Sequence, residues 1–323
     1  MSWLITGTIY FLIIAFGLLL VAALLAPFES LGWWAGWSKR WPDPLDLAQP
    51  IQQPLAALAD QAACYIVYLS GVGNSGPKDF TPKELLFLDM LAAQIPGAAV
   101  IRDVFPYSPA GVALAGPRAF SRLWEWVLRA VRNPATSSVW QLIGMRNVLQ
   151  VMVAADQRYG PVFAFGIARA TLLSLLRHGY RPGSAVPIFL VGLSGGGAVA
   201  VGAAACLHRL LAVPVWVISI GGVLTSDPGI LEVEQVFHLS GSSDRTQYLG
   251  QILFPGCWPI FPRSAWNRAL AQDKRTVIDV GPMRHMRHGD YFSRSALLPN
   301  GESHLGHTVA VIGSVVAGVL AAT

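Results

Sequence analysis

Charged side chains are scarce in this chain. They make up 13% of its 323 residues, with 23 Lys or Arg against 18 Asp or Glu. Ordinary soluble domains carry about 25% charged residues. The shortage is greatest at the N-terminus, where no charged residue precedes Glu29. Part of the chain is therefore expected to lie out of water, while the remainder is long enough to build one large domain with a sizeable core.

Cysteine is sparse as well, with three irregularly spaced residues at positions 64, 206 and 257. This number and spacing argue against a disulfide framework or a zinc site, and we expect no metal and no cofactor. The net charge is +5, but no recognised nucleic-acid motif accompanies it. We therefore expect no nucleic-acid partner, and the basic balance suits a protein that lies beside an anionic membrane leaflet.

The N-terminal residues 4–26 form an almost wholly apolar run. Such a run is long enough to cross a hydrocarbon core of about 30 Å as a helix. A cleaved signal peptide has a basic start and a shorter apolar core, and this segment has neither. Four tryptophans follow it together with Lys39 and Arg40, which resembles an interfacial aromatic belt. We predict a transmembrane anchor at 1–28 and a linker at 29–61, with the remaining domain in the cytoplasm by the positive-inside rule.

Residues 62–323 alternate between short apolar runs typical of buried strands and longer helical stretches. This alternation predicts an α/β fold with a mostly parallel sheet flanked by helices on both faces. Strands are expected at 63–70, 98–105, 186–192, 213–220, 235–239 and 275–280, and helices near 159–178 and 305–322. Thr81, Pro82 and Glu84 predict the start of another helix with a capping box.

Two segments interrupt this alternation. The first, 110–157, is predicted to be a helical cap insertion of two helices. On one of them a face of arginines lies opposite an apolar face, the arginines being Arg118, Arg122, Arg129 and Arg132. That helix either faces a membrane or packs its apolar face on the core. The second segment, 246–274, is too apolar for an open loop, and we expect it to wall a pocket.

The most informative motif is G-x-S-x-G at residues 192–196. An apolar strand ends at Gly192, Ser194 follows in a sharp turn, and an Ala-rich helix begins directly afterwards. Glycines allow the strand and helix to approach closely, so that the serine is exposed on a strained turn. The alternative is a Gly-rich turn with an incidental serine, but the flanking elements favour a nucleophile.

A serine nucleophile needs a base, and the base needs an orienting carboxylate. In this strand–turn–helix context the chain order is serine, acid, histidine. Asp244 follows a strand after a glycine turn and is the preferred acid, with Asp227 as the alternative. His285 follows the last strand and is the preferred base, with His288 and His304 as alternatives.

The oxyanion hole is predicted to use two backbone N–H groups. One belongs to Gly195, directly after the serine, and the other to the loop after the first strand. Val72 is the candidate in that loop, because the glycines around it allow the backbone to approach a substrate.

With the motif at 192–196, the Asp244 turn and the His285 loop, residues 62–322 resemble the α/β-hydrolase superfamily. Three further stretches, 154–161, 266–269 and 281–292, resemble a group of bacterial membrane-anchored members. Two features depart from the usual pattern: Ser70-Gly71 replaces a frequent His-Gly pair, and no antiparallel strands are evident before the first parallel strand. The resemblance implies a serine hydrolase.

The resulting hypothesis is a single-pass protein of a bacterial inner membrane that cleaves an ester or thioester through an acyl-enzyme. The expected partners are the lipid bilayer and a small-molecule or lipid-like ester; the oligomeric state stays open. Two alternatives remain at this stage. One is a non-catalytic interaction or scaffold protein on the same fold, and the other is an acyltransferase.

Overall fold

The computed structural model describes residues 62–116, 121–133 and 140–322, together with isolated positions at 6, 7, 10, 28, 31, 32, 35 and 137. The predicted anchor and linker therefore lie almost wholly outside the described residues, and so do Arg118 and Phe120. Every structural statement below refers to the described part of the chain.

Six strands form a single parallel sheet. They are β1 (Cys64–Leu69), β2 (Ala98–Ile101), β3 (Ile188–Leu193), β4 (Val215–Ile220), β5 (Val236–Ser240) and β6 (Arg275–Asp279). Their order across the sheet is β2-β1-β3-β4-β5-β6, and all neighbours are parallel. The predicted parallel sheet is confirmed, and its order is consistent with an α/β-hydrolase-like fold. Because all strands run the same way, the loops at their carboxyl ends share one edge, which is where ligands bind in such sheets.

Eight α-helices are described around this sheet: α1 (Pro82–Gln94), α2 (Ser121–Val131), α3 (Trp140–Ala155), α4 (Gly160–Arg177), α5 (Gly195–Leu211), α6 (Leu249–Leu253), α7 (Ala265–Ala271) and α8 (His304–Ala322). The helix predicted to begin at Thr81 has its capping box, because the Thr81 hydroxyl accepts from the Glu84 N–H and the Glu84 carboxylate accepts from the Thr81 N–H. Three short 3₁₀ helices complete the pattern at Pro228–Leu231, Thr246–Tyr248 and Pro255–Cys257.

Alternate residues of strands β1 to β5 supply two cores, one on each face of the sheet. In β1, Tyr65 and Val67 point into the core shared with α3, α4 and α5, whereas Ile66 and Tyr68 point into the core shared with α1 and α8. Both faces of the strand are buried, as expected for a parallel sheet covered by helices on each side.

The second strand is shorter than predicted and ends at Ile101 instead of Phe105. Beyond it, Val104, Phe105 and Tyr107 turn inward and are buried in the core at the end of the sheet. An apolar run of this kind does not by itself reveal where pairing stops and loop packing begins.

The two helices expected between 110 and 157 are present as α2 and α3. Helix α2 buries Val127 and packs Trp124 and Leu128 on the core, whereas Leu123 and Trp126 are exposed. Its described arginines are also exposed. The arrangement follows the alternative in which an amphipathic helix packs its apolar face on the core. Two large apolar side chains, Leu123 and Trp126, remain exposed to solvent.

Among the described helices, α4 and α8 are long and apolar enough to cross a bilayer. Both contribute side chains to the cores beside the sheet, with Phe163 and Ile167 from α4 and Val309 and Ile312 from α8. Core helices of soluble proteins have the same length and composition, so these two helices are weak evidence for membrane insertion.

Candidate active site

Ser194 occupies the turn between β3 and α5, with φ of 54° and ψ of −118°. Few residues with a side chain adopt a positive φ, and such strain costs about 1–3 kcal/mol. The surrounding backbone holds the turn in place. The Ser194 N–H donates to the carbonyl of Ile220 (3.0 Å), and its carbonyl accepts from the N–H groups of Gly197 (3.0 Å) and Val223 (3.3 Å).

The glycines of the motif permit close approach of strand and helix. A Cβ on Gly192 would lie 2.5 Å from the backbone nitrogen of Gly197, and one on Gly196 would collide with the carbonyl oxygen of Leu69. Neither backbone atom can move aside without shifting β1 or α5. Both motif glycines are therefore required by packing, and together they place Ser194 at the carboxyl edge of the sheet.

The structure brings the three preferred polar residues together at this edge. Ser194 Oγ lies 2.7 Å from Nε2 of His285, and Nδ1 of His285 lies 2.9 Å from Oδ2 of Asp244. An ionised carboxylate only accepts hydrogen bonds, so Nδ1 carries the proton and Nε2 of the neutral ring is left to accept from the Ser194 hydroxyl. This arrangement can take a proton from the serine.

Asp244 is fully buried, and both of its oxygens are occupied. Oδ1 accepts from the N–H groups of Thr246 (2.9 Å) and Gln247 (3.3 Å), and Oδ2 accepts from His285 and from the Tyr291 hydroxyl (2.9 Å). Burial raises the pKa of Asp244, but the hydrogen bond and charge of His285, with the bonds from Tyr291 and Gln247, outweigh it and leave the pKa below its ordinary value. The carboxylate is therefore ionised at neutral pH.

Tyr291 is a member of this site that the sequence did not single out. Its hydroxyl donates to Asp244 and accepts from the N–H of Gly241 (2.9 Å), so one phenol links the carboxylate to the turn that presents it. Burial, followed by the charge of Asp244, raises the pKa of Tyr291. Its ring also packs against Gly221, where a Cβ would lie 2.6 Å from a ring carbon. No periodicity or spacing distinguishes Tyr291 from other loop aromatics.

The loop after β1 lies against the start of α5, where the predicted oxyanion donors are found. A Cβ on Gly195 would lie 2.6 Å from Cγ1 of Val72, which shows how close the two segments are. Within the described residues, neither the N–H of Val72 nor that of Gly195 donates a hydrogen bond. Both donors are thus available to a ligand, and Gly195 adds the favourable potential of a helix N-terminus.

A buried amide on α3 supports the Val72 loop. Nδ2 of Asn147 donates to the carbonyls of Val72 (2.8 Å) and Asn74 (2.7 Å), and its Oδ1 accepts from Arg146 (3.0 Å). The Tyr107 hydroxyl donates to the carbonyl of Ser70 (2.7 Å) in the same loop. The insertion thus contributes directly to the site. Polar residues within an apolar helix were the only sequence signal for this role.

A second buried network supports the turn that carries Asp244. Gln247 donates through Nε2 to the carbonyls of Gly241 (2.9 Å) and Asp244 (2.8 Å), so its Oε1 faces Nε2 of His238 (3.1 Å). Burial, with a smaller effect from the charge of Arg275, lowers the pKa of His238 to about 4. The ring is therefore neutral at physiological pH, and its Nε2–H donates to Gln247.

The alternative acid and bases lie elsewhere. Asp227 caps the 3₁₀ helix at Pro228–Leu231 by accepting from the Gly229 N–H (2.8 Å), and burial of its carboxyl group raises its pKa. His288 is exposed. His304 is buried and donates through Nδ1 to the carbonyl of Gly289 (3.1 Å), which supports the loop that carries His285.

The remaining sequence expectations concern metals, cysteines and the second apolar segment. The described residues hold no group of three or more metal-ligating side chains, and the three cysteines are buried and unpaired. Segment 246–274 lines an open groove with Pro255, Ile260 and Phe261. Ile252 and Ile260 are nevertheless 63% and 72% exposed. Its short helices turn part of the apolar sequence outward.

No known family model matches the chain, and no curated protein matches it. Several solved structures are similar. A dienelactone hydrolase-like promiscuous phosphotriesterase from metagenomic libraries is 13% identical, with a TM-score of 0.43, and the match covers 81% of this chain and 87% of that one. A carboxylesterase from Mesorhizobium loti is 13% identical, with a TM-score of 0.40, over 81% of this chain and 92% of that one.

A variant of Arabidopsis thaliana SOBER1 is 16% identical, with a TM-score of 0.36, over 77% of this chain and 96% of that one. All three likenesses are distant. The interpretation of the site therefore rests on its own geometry.

Proposed function

We propose that this protein is a membrane-anchored serine hydrolase of the α/β-hydrolase superfamily that cleaves an ester or thioester. The observation that carries the proposal is the continuous hydrogen-bonded series from Ser194 through His285 to buried Asp244, with distances of 2.7 and 2.9 Å. A nucleophile, a base and an orienting carboxylate within hydrogen-bond reach are the components that acyl transfer requires.

In the first half of the proposed reaction, Nε2 of His285 takes the Ser194 proton while Oγ forms a bond to the substrate carbonyl carbon. The carbonyl electron pair moves onto oxygen, where the N–H groups of Gly195 and Val72 stabilise the negative charge. The carbonyl then re-forms and the bond to the alcohol or thiol breaks. The leaving group takes the proton from His285, and an acyl-Ser194 ester remains.

In the second half, a water molecule gives its proton to His285 and attacks the acyl carbon. The oxyanion that forms is stabilised by the same two N–H groups. Collapse releases the carboxylic acid and returns the proton to Ser194. Asp244 remains ionised throughout and stabilises the imidazolium that forms in each half. An alcohol in place of water would make the same chemistry an acyl transfer, so the acceptor alone separates these two activities.

A lipid-like substrate and a membrane location are part of this proposal. Their support is the uncharged apolar run at 4–26, with the tryptophans and the Lys39-Arg40 pair that follow. In this arrangement the catalytic domain lies on the cytoplasmic side. Deletion of residues 1–28 should then release the protein from membranes that retain the full chain after alkaline carbonate washing, and equal retention of both forms would refute the anchor.

Labelling by a fluorophosphonate probe tests the nucleophile directly. The full chain should be labelled and should hydrolyse a short-chain ester, whereas Ser194→Ala should lose both properties while its melting temperature is retained. Removal of a serine nucleophile costs about 10⁶ in turnover in subtilisin. Ser184→Ala, which changes an exposed loop serine, is the matched control. Turnover near the wild-type value in Ser194→Ala would exclude the proposed mechanism and favour a scaffold role.

A further inference from the structure

The segment that follows Asp244 forms an exposed apolar surface. It comprises the end of the 3₁₀ helix at Thr246–Tyr248, helix α6, the turn Pro255–Cys257 and the loop up to α7. Seven of its large side chains are more than a third exposed: Tyr248, Leu249, Ile252, Leu253, Trp258, Ile260 and Phe261. We call these seven residues the α6 surface. Monomeric soluble proteins rarely expose large contiguous apolar patches, and such patches often mark a binding surface.

The α6 surface is held in a defined conformation. The indole N–H of Trp258 donates to the carbonyl of Ile252 (3.3 Å), and the Trp258 and Phe261 rings stack with centroids 6.3 Å apart. Nδ2 of Asn267 donates to the carbonyls of Trp258 (2.7 Å) and Phe261 (2.9 Å). The apolar side chains are therefore presented outward by a folded segment.

The charged residues within this segment have one sign. Residues 245–272 include no Asp or Glu, and their three arginines, Arg245, Arg263 and Arg268, are all exposed. An open groove of about 640 Å³ lies among the same residues, lined mainly by Pro255, Ile260, Phe261 and Pro262, with Arg263 at its side. Apolar side chains beside arginines, with no acidic residue among them, are the composition of segments that lie in a membrane interface.

The α6 surface is backed by the loop that supports the nucleophile. A Cβ on Gly250 would collide with the carbonyl oxygen of Leu224, and one on Gly256 would lie 2.6 Å from the side chain of Ser226. One residue before Leu224, the N–H of Val223 donates to the carbonyl of Ser194. A partner bound to the α6 surface would therefore lie beside the carboxyl edge of the sheet, where Ser194 is located.

We propose that the α6 surface docks on the headgroup layer of a bilayer that contains anionic phospholipids. The apolar side chains insert at the acyl boundary while the arginines contact lipid phosphates, and a lipid-borne ester is thereby brought close to Ser194. This inference rests on the proposed membrane function and adds the face of the domain that meets the membrane. The N-terminal apolar run of the same chain would keep that face at high local concentration beside the bilayer.

The test uses the full chain in vesicles of phosphatidylcholine that contain about 30 mol% phosphatidylglycerol. An environment-sensitive fluorophore is attached at Ile260→Cys or, as a matched control, at Leu210→Cys. Leu210 is 44% exposed and lies in the last turn of α5, which runs from Ser194 towards the opposite edge of the sheet. The native cysteines are buried, and labelling of the unsubstituted chain measures any background.

A probe at Ile260→Cys should show blue-shifted emission and strong quenching by lipids that carry a quencher in the acyl chain. The probe at Leu210→Cys should show emission typical of water and little quenching. Equal weak quenching at the two positions would overturn the proposal. So would quenching at Ile260→Cys that disappears on dilution of the protein within the vesicles, because that result indicates a second copy of the chain on the surface.

Replacing Arg245, Arg263 and Arg268 together by Gln tests the electrostatic part. Each arginine near an anionic surface contributes roughly a fivefold change in the docking equilibrium. The triple variant should therefore lose quenching at Ile260→Cys in anionic vesicles while it hydrolyses a water-soluble ester at the wild-type rate. Unchanged quenching would contradict the role of the arginines.

The docking proposal and the hydrolase proposal can fail separately, because quenching needs no turnover. Failed docking with intact labelling of Ser194 refutes only the docking surface. Absent labelling with intact docking refutes only the hydrolase.

Discussion

The side chain of Asn147 donates a hydrogen bond of 2.8 Å to the carbonyl of Val72, which is 75 positions earlier in the chain. The bond connects helix α3 to the loop that offers the second proposed oxyanion donor. The same nitrogen also bonds to Asn74. The orientation of the Val72 peptide, and hence of its N–H, therefore depends on a helix that lies outside the alternating strand–helix pattern.

Replacing Asn147 by Ala should lower kcat for a short ester by about 10- to 100-fold, below the 10²–10³ that loss of an oxyanion donor itself costs. The Val72 and Asn74 carbonyls lose their partner, and the loop is free to rotate its N–H away from the developing charge. KM should change little, because ground-state binding does not use this donor. Asn300→Ala, at an exposed loop position, is the control. A lower melting temperature together with changes of similar size in kcat and KM would instead indicate a purely structural role.

Three histidines near the end of the chain should respond differently to replacement by Ala. His285→Ala should lose activity by about 10³ or more, since it removes the proposed base. His288→Ala should keep wild-type activity because His288 is exposed. His304→Ala removes the bond to the Gly289 carbonyl and should mainly lower the melting temperature. Steady-state kinetics with thermal unfolding separates the three, and an inactive His288→Ala would overturn the assignment of the base.

The two candidate acids should differ in the same manner. Asp244→Asn should reduce kcat by about 10⁴, as loss of the orienting carboxylate does in a serine protease. Asp227→Asn should keep its activity, because an amide oxygen still accepts from the Gly229 N–H and nothing near His285 changes. Comparable losses in both variants would show that the sheet edge, and not the carboxylate, had been disturbed.

Their effects on stability should have opposite pH dependence. The folded pKa of Asp244 is lowered, so its contribution to the free energy of unfolding is present above the unfolded value of about 3.9 and is lost as the pH falls through the folded pKa. The folded pKa of Asp227 is raised, so stability is lost as the pH rises from about 3.9 through that folded pKa. Urea unfolding of each Asn variant and the wild type across this range measures both signs.

The sequence alone determined features that depend on neighbouring residues. The apolar runs specify the strands, and the Thr81–Glu84 capping box specifies the start of α1, because each depends on side-chain alternation or on bonds within one turn. The glycines at 192 and 196 mark the sharp turn at Ser194 for the same local reason. Parallel strands then bring the loops after β3, β5 and β6 to one edge, which made Ser194, Asp244 and His285 reasonable candidates for a common site.

Tertiary structure decided what depends on contacts between distant segments. Spacing could not separate His285 from His288, because a loop has no period; only the folded chain puts one ring 2.7 Å from Ser194 and the other in solvent. The bonds that Tyr291 and Asn147 make to loops 47 and 75 positions away follow from how helices and loops pack, which no local pattern encodes. The outward face of α6 has the same origin, since an apolar run specifies burial only when the rest of the fold provides a surface to cover it.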